Sequence, residues 1–264
     1  MIAIAIHGAA GRMGQRLIAL LSEDSELGLS AAIEQAGNPR LGEDAGLVAG
    51  TKRLGVPVTD HLGGPADVLI DFTGPQATRV ALQACVDRKL AMVIGTTGLG
   101  DDDQAAIDQA ARVIPVLQAP NMSLGVNLLL ALAARAAKTL GDAYDIEIIE
   151  THHRFKKDAP SGTALGIAAA ICNATGKDMN HTLKHGRRGD DPRKPGEIGM
   201  HAVRGGDVVG RHTASFCTLG EELQLTHMAS SRDVFAQGAL RAAKWLAGRK
   251  NQPGRYTMAH VLGL

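Results

Sequence analysis

A chain of 264 residues and 27.5 kDa has room for one large or two modest domains, at about 100 to 200 residues each. Hydrophobic residues at 45% and charged residues at 21% match a globular chain and exclude intrinsic disorder. With 28 Lys and Arg against 27 Asp and Glu, a formal charge of +1 and only four Phe, two Tyr and one Trp, a broad nucleic-acid surface is excluded as well.

The first half alternates short β-rich runs with amphipathic stretches, the pattern of βαβ units on a doubly wound parallel sheet. Strands are predicted at Ile2–Ile6, Leu29–Ile33, Val68–Phe72, Met92–Ile94 and Val113–Leu117, with helices at Arg12–Ser22, Pro75–Lys89 and Asp102–Arg112. After Asn121 the pattern changes to an Ala/Leu helix (Ser123–Leu140), a strand (Tyr144–Glu150), a charged loop and a second Ala-rich helix (Ser161–Asn173). Residues Lys177–Glu197 are rich in Gly, Pro and charge and read as a long, mobile loop. Strands at Gly199–Arg204, Val208–Cys217 and Leu223–Ala229 are expected to form an antiparallel meander, and a helix at Val234–Leu246, started by Asp233, is expected to return to the first domain. The expected division is therefore residues 1–121 with 234–264, and residues 122–233.

Cys85, Cys172 and Cys217 form no CxxC pair, so neither a disulfide framework nor a zinc knuckle is indicated, and a reducing, cytoplasmic location is expected. The stretch after Met1 has no basic n-region and does not read as a signal peptide. No apolar run reaches the roughly 20 residues of a membrane span; the longest candidate, Val126–Ala137, is interrupted by Asn127 and Arg135. His181 and His185 have the spacing of half a zinc finger without the cysteines, and no metal is expected.

Gly8-Ala9-Ala10-Gly11-Arg12-Met13-Gly14 follows the first strand and opens the first helix. There, a glycine turn lets backbone amides approach a pyrophosphate. Glu34 ends the second strand 20 residues after Gly14, where a carboxylate accepts from ribose hydroxyls. A turn that merely joins strand to helix is the alternative; dinucleotide binding explains more. Gly95-Thr96-Thr97 and Ala119-Pro120-Asn121 end the fourth and fifth parallel strands, which by the carboxyl-end rule line the same crevice. Thr96 or Thr97 capping the next helix is the competing reading.

In Glu150-Thr-His152-His153-Arg154-Phe-Lys156-Lys157-Asp158-Ala-Pro-Ser161-Gly162-Thr163, five basic or titratable side chains run into the start of an Ala-rich helix. A helix N-terminus offers N–H groups and a partial positive charge, so Ser161, Gly162 and Thr163 can hold one carboxylate while a nearby Lys holds another, and a dicarboxylate is implied. His152 or His153 is a candidate proton donor. A plain N-cap at Ser161 beside a solvated charged loop is the bland alternative.

These motifs, with Ile70-Asp-Phe-Thr73, Val93 to Gly98 and Ala119 to Asn127, resemble the dihydrodipicolinate reductase family over essentially the whole chain. The resemblance implies a Rossmann-like first domain and an α+β substrate and oligomerisation domain of mixed or antiparallel sheet, assembled as a homotetramer. It also implies reduction of 4-hydroxy-tetrahydrodipicolinate to tetrahydrodipicolinate by NADH or NADPH, in diaminopimelate and lysine biosynthesis. By that likeness His152 and Lys156 are catalytic, and His153, Ser161, Gly162 and Thr163 contact substrate. Gly8, Ala9, Ala10, Gly11, Arg12, Met13, Glu34, Gly95, Thr96, Thr97, Ala119, Pro120, Asn121 and Met122 contact the cofactor. Gln35 stands where some members carry Arg after the ribose-binding acid, which predicts a preference for NADH, with Arg12 or Arg40 as possible phosphate partners. The competing readings are a homoserine or aspartate dehydrogenase, which would not need the His-His-Arg-Phe-Lys-Lys and Ser-Gly-Thr pair, and a protein that senses NAD(H), which turnover would distinguish.

Overall fold

The computed structural model describes residues 1–264 and divides them into two compact units, Met1–Ser123 with Asp233–Leu264, and Leu124–Arg232. The chain runs β1 (Ile2–His7), α1 (Arg12–Leu21), β2 (Leu27–Ile33), α2 (Ala45–Val48), β3 (Val58–Thr59), β4 (Val68–Asp71), α3 (Pro75–Arg88), β5 (Ala91–Ile94), α4 (Asp101–Ala110) and β6 (Pro115–Gln118). Next come α5 (Leu124–Leu140), β7 (Asp145–His152), α6 (Gly162–Thr175), α7 (Met179–Thr182), β8 (Leu183–His185), β9 (Ile198–Arg204), β10 (Gly210–Thr218) and β11 (Glu221–Ala229). It closes with α8 (Asp233–Ala247), β12 (Gly254–Tyr256) and α9 (Met258–Leu262).

The first unit is built on a seven-stranded sheet of order β12-β6-β5-β4-β1-β2-β3, every pair parallel. Its central strands are apolar on both faces: β4 and β5 are buried at every residue, as a sheet covered by helices on both sides requires. Leu69, Met92, Ile94, Ile107, Ile114 and Val116 lie in one core on one face, and α8 packs on β4, β5 and β6. The chain reverses direction of winding between β1 and β4, so their carboxyl ends open a crevice at the switch point. β3 and β12 extend the sheet beyond the five expected strands; two and three residues long, they carry no readable alternation.

The second unit has a five-stranded mixed sheet of order β11-β10-β7-β9-β8. The expected antiparallel meander is corrected here: β9 runs parallel to β7 and pairs with it, while β10 pairs with the other edge of β7. The reason lies in the link between β9 and β10, which is hydrogen-bonded to the end of β7 instead of forming a hairpin. Gly205 N donates to His152 O, and His153 N donates to Val208 O. β7 is therefore central, flanked on both edges. The expected loop over 177–197 also differs, since it holds α7 and β8 and is tied down by ion pairs of Arg193 with Glu147 and of Lys184 with Asp191.

α5 and α6 cover one face of this sheet, with Leu129, Ala133, Ile148, Ile167, Met200 and Phe216 in its core. α5 with its 3-10 continuation, Leu124–Ala143, is 20 residues long with mean hydropathy 1.3, long and apolar enough to cross a membrane by length and composition. The helix is the one expected over Ser123–Leu140; the expectation that no apolar run approaches a span's length is corrected, because the mean hydropathy stays high across Asn127 and Arg135. Its buried residues Val126, Leu129, Ala133 and Ala137 recur at helical spacing and mark it as an amphipathic helix with one packed face.

Candidate active site

In the crevice of the first unit, Gly8 has φ +82°, a conformation that L side chains rarely adopt. A Cβ on Gly14 would lie 2.1 Å from Gly8 O and 2.7 Å from Ala9 Cα, so only glycine lets α1 start against the turn. Ala10 N donates to Glu34 Oε1 at 2.9 Å, and Asn38 Nδ2 and Gln35 N donate to Oε2 at 3.1 and 3.2 Å. The carboxylate is thereby fixed at the rim of a cleft of about 650 Å³ lined by His7, Gly8, Gly11, Glu34, Gln35, Phe72 and Thr73. Phe72 also lines a smaller cavity of about 220 Å³ with Met13, Gly95, Pro120, Asn121 and Met122. Of the remaining expected cofactor contacts, Ala9 and Ala119 are buried and Arg12 and Thr97 are exposed. Arg40 pairs with Glu43 at 3.0 Å.

Thr96 is buried and serves the floor of the crevice. Asp71, fully buried at the end of β4, accepts from His7 Nδ1 (2.8 Å), Thr73 Oγ1 (2.7 Å), Thr78 Oγ1 (2.6 Å) and Thr96 Oγ1 (2.7 Å). Burial alone would raise its carboxyl; the hydrogen bonds from His7, Thr78, Thr73 and Thr96 outweigh it and hold the group below the usual carboxylate range. The reading of Thr96 or Thr97 as a helix cap is overturned, because α4 opens at Asp101 with Gly100 as its N-cap. Asp71 lies inside the Ile70-Asp-Phe-Thr73 motif without a role expected from sequence; a charged residue ending a buried parallel strand was the available signal.

In the second unit the strand register sorts the helix-facing side of the sheet into rungs. Ile198, Ile146, Phe216 and Leu223 form one, and Met200, Ile148, Ala214 and Leu225 the next. The third reads Ala202, Glu150, His212 and His227; beyond it Arg204 pairs with His152 and Gly210 with Ala229, the glycine lying against the His152 ring. An apolar core thus gives way, at the end of β7, to a titratable layer beside the start of α6.

That layer is closely hydrogen-bonded. Arg204 grips both oxygens of the fully buried Glu150, Nη1 to Oε2 at 2.8 Å and Nη2 to Oε1 at 2.7 Å. His152 Nδ1 donates to Glu150 Oε2 at 2.5 Å, and Ser161 N donates to Oε1 at 3.1 Å. Since a carboxylate only accepts, the neutral His152 ring carries its proton on Nδ1 and presents a bare Nε2. Ser161 Oγ accepts from Ala164 N at 3.2 Å, capping α6, and shares a hydrogen bond of 3.0 Å with His212 Nε2. Ser161 is therefore committed to the fold, whereas the amide of Gly162, the first helical residue, has no partner. Thr163 is the second helical residue, and Lys156 Nζ pairs with Asp158 Oδ1 at 2.8 Å. His153 is half-buried, its ring 6.3 Å from that of Phe155.

Burial lowers the His152 imidazole below its ordinary value, against the opposing pull of Glu150, and lowers His212 further, to about 4. Glu150 stays low despite its burial because Arg204 and His152 donate to it. Glu150, Arg204 and His212 were missed as site residues. The signal was a Glu at an inward-facing position of an Ile-x-Ile-x-Glu-x-His strand, where a charge requires a partner.

The chain matches the family model "Dihydrodipicolinate reductase, N-terminus" over residues 2–122 and "Dihydrodipicolinate reductase, C-terminus" over residues 125–262. It is 51% identical over 265 residues to the 4-hydroxy-tetrahydrodipicolinate reductase of Alkalilimnicola ehrlichii, covering 99% of this chain and 98% of that one. It is 48% identical over 268 residues to the enzyme of that name from Syntrophotalea carbinolica, covering all of both chains. Among solved structures, dipicolinate-bound dihydrodipicolinate reductase from Paenisporosarcina sp. TG-14 shares the fold, with a TM-score of 0.74, 24% identity and 97% of each chain covered. Full-length identity at this level, across both halves of the family model, makes the chain a member of the dihydrodipicolinate reductase family.

Proposed function

We propose that this protein reduces 4-hydroxy-tetrahydrodipicolinate to tetrahydrodipicolinate in diaminopimelate and lysine biosynthesis, with His152 as proton donor and NADH as preferred reductant. The observation that carries the assignment of roles is the single carboxylate of Glu150, which joins His152 and the opening of α6. A proton source and an anion-binding helix start are thereby held side by side.

The residues present fit a nicotinamide dinucleotide. Gly8 and Gly11 leave the first turn open to a pyrophosphate, with Ala9, Ala10, Arg12 and Met13 around it. Glu34 is held to accept from ribose hydroxyls, and Gly95, Pro120, Asn121 and Met122, which line one cavity, would meet the nicotinamide end, with Thr97 beside Gly95 in sequence. When bound, the reduced nicotinamide supplies the hydride. A 2′-phosphate would meet the negative Glu34 with Gln35 in place of a cation, which supports the NADH preference.

The ring substrate carries two carboxylates. The amides of Gly162 and Thr163, at the positive end of the 14-residue α6, hold one of them. Lys156, released from Asp158, pairs with the other, and His153 contacts the substrate. The dianion also raises the affinity of His152 for a proton, reversing the effect of burial. Loss of the 4-hydroxyl as water leaves a conjugated imine to accept the hydride, and His152 Nε2 protonates the carbon that becomes electron-rich on hydride addition and returns to the neutral Nδ1–H ring.

The face of the second sheet away from α5 and α6 exposes Ile149, Val203 and Met228 at 38%, 46% and 65%. Apolar side chains open on a sheet face support a homo-oligomer, by family likeness a homotetramer. Three free cysteines, two of them buried, support a cytoplasmic location. The test of the assignment is NADH and NADPH oxidation at 340 nm with freshly made 4-hydroxy-tetrahydrodipicolinate. Turnover with kcat/KM higher for NADH is expected; no turnover overturns the reaction, and about a tenfold advantage for NADPH overturns the cofactor preference.

A further inference from the structure

Behind the groups that meet substrate, the second unit contains a buried ion pair, Glu150 with Arg204, that reaches the start of α6 only through the amide of the N-cap residue Ser161. Glu150 is fully buried and accepts four N–H donors, two at each oxygen: Arg204 Nη1 and His152 Nδ1 at Oε2, Arg204 Nη2 and Ser161 N at Oε1. Arg204 Nη2 also donates to Asp158 O at 2.5 Å, at the far end of the His153–Pro160 loop. The pair thus closes both ends of the segment that starts with His152.

The charges around the His152 ring are few. They are Glu150 on its own strand, Arg204 on β9, His212 on β10 with ring centroids 5.0 Å apart, and Lys156 in the loop that follows. Opposite His152 on β10 stands Gly210, where a Cβ would come within 3.1 Å of His152 Nε2. Glu150 and Arg204 cancel, as do Lys156 and its partner Asp158, so the neutral ring sits among charges that sum to zero and the imidazolium makes the cluster +1.

We propose that Glu150 and Arg204 are a matched positioning pair for His152: the carboxylate holds the Nδ1 proton, and the guanidinium, by neutralising that carboxylate, leaves the ring able to release the proton its Nε2 carries. Each member acts on the ring in the opposite sense. Without the carboxylate, Arg204 repels the imidazolium, and a neutral amide at position 150 lets the ring's proton move to Nε2. Without the guanidinium, an unbalanced buried carboxylate holds the imidazolium and suppresses proton release. A pair serving the fold alone would weaken stability in both variants and leave no opposed signature.

The proposal rests on the reading of His152 as proton donor, and its test does not need turnover. In full-length protein labelled with ¹⁵N-histidine, the His152 resonances are assigned by their loss in His152→Gln and titrated against pH. Glu150→Gln is expected to lower the His152 titration by about one unit or more, with the neutral proton moved to Nε2, and Arg204→Gln to raise it by about as much. Arg204→Lys, which keeps the charge, is expected to stay near the wild-type midpoint. Shifts in the same direction, the absence of a shift, or an Arg204→Lys midpoint matching Arg204→Gln overturns the pairing. Should Glu150→Gln not fold, the contrast between Arg204→Gln and Arg204→Lys decides alone. A His152→Gln enzyme with wild-type kcat would instead overturn the donor reading while leaving the titration result intact.

Discussion

Among single residues, His212 predicts a loss of stability in acid. His212 is 4% exposed and its imidazole is lowered by burial from 6.5 to about 4. The folded state therefore binds fewer protons than the unfolded chain between those values. Stability is full above pH 6.5 and falls by up to about 3 kcal/mol as pH drops toward 4. His152, also lowered, adds to the loss in the same direction. Urea midpoints measured from pH 7 to 4.5 should fall in the wild type and fall less in His212→Gln; parallel curves would remove His212 as the cause. Lys156→Ala should raise the KM for the substrate by about tenfold or more through loss of a charge partner, with a smaller change in kcat; steady-state kinetics check the split. Of these residues, His152 and Lys156 were legible in the sequence because they lie in one short run. His212 and Arg204 were not, because they reach the site from other strands and only the register of β7 brings them together.

At the level of elements, the β1–turn–α1 segment was readable because its constraints are local: an apolar strand, glycines at fixed offsets, then helical spacing. Gly14→Ala tests that directly. Its methyl would meet the backbone of Gly8 and Ala9, which cannot yield as a side-chain tip can, so a loss of about 1–3 kcal/mol is expected. Weaker NADH binding should accompany it. Urea unfolding and a fluorescence titration with NADH read the two effects, and an unchanged midpoint with unchanged affinity would show that the turn does not depend on this contact. The second sheet was readable strand by strand and misread in its order. Alternation fixes which residues of β9 and β10 face the core, but nothing in either strand shows that β7 lies between them. That is decided by backbone hydrogen bonds from residues 205 and 153, a choice between distant partners that a local pattern does not encode.

For the whole molecule, the uncovered face of the second sheet predicts self-association. Light scattering at micromolar concentration should give about 110 kDa, four copies of a 27.5 kDa chain, and a monomer mass would contradict it. The proposed reaction depends on His152 giving a proton to a ring anchored at the start of α6. The most direct measurement is kcat of His152→Gln beside wild type, at saturating NADH and 4-hydroxy-tetrahydrodipicolinate. A fall of about 10²- to 10⁴-fold in kcat with a near-constant KM is predicted. A kcat within a few-fold of wild type would contradict it.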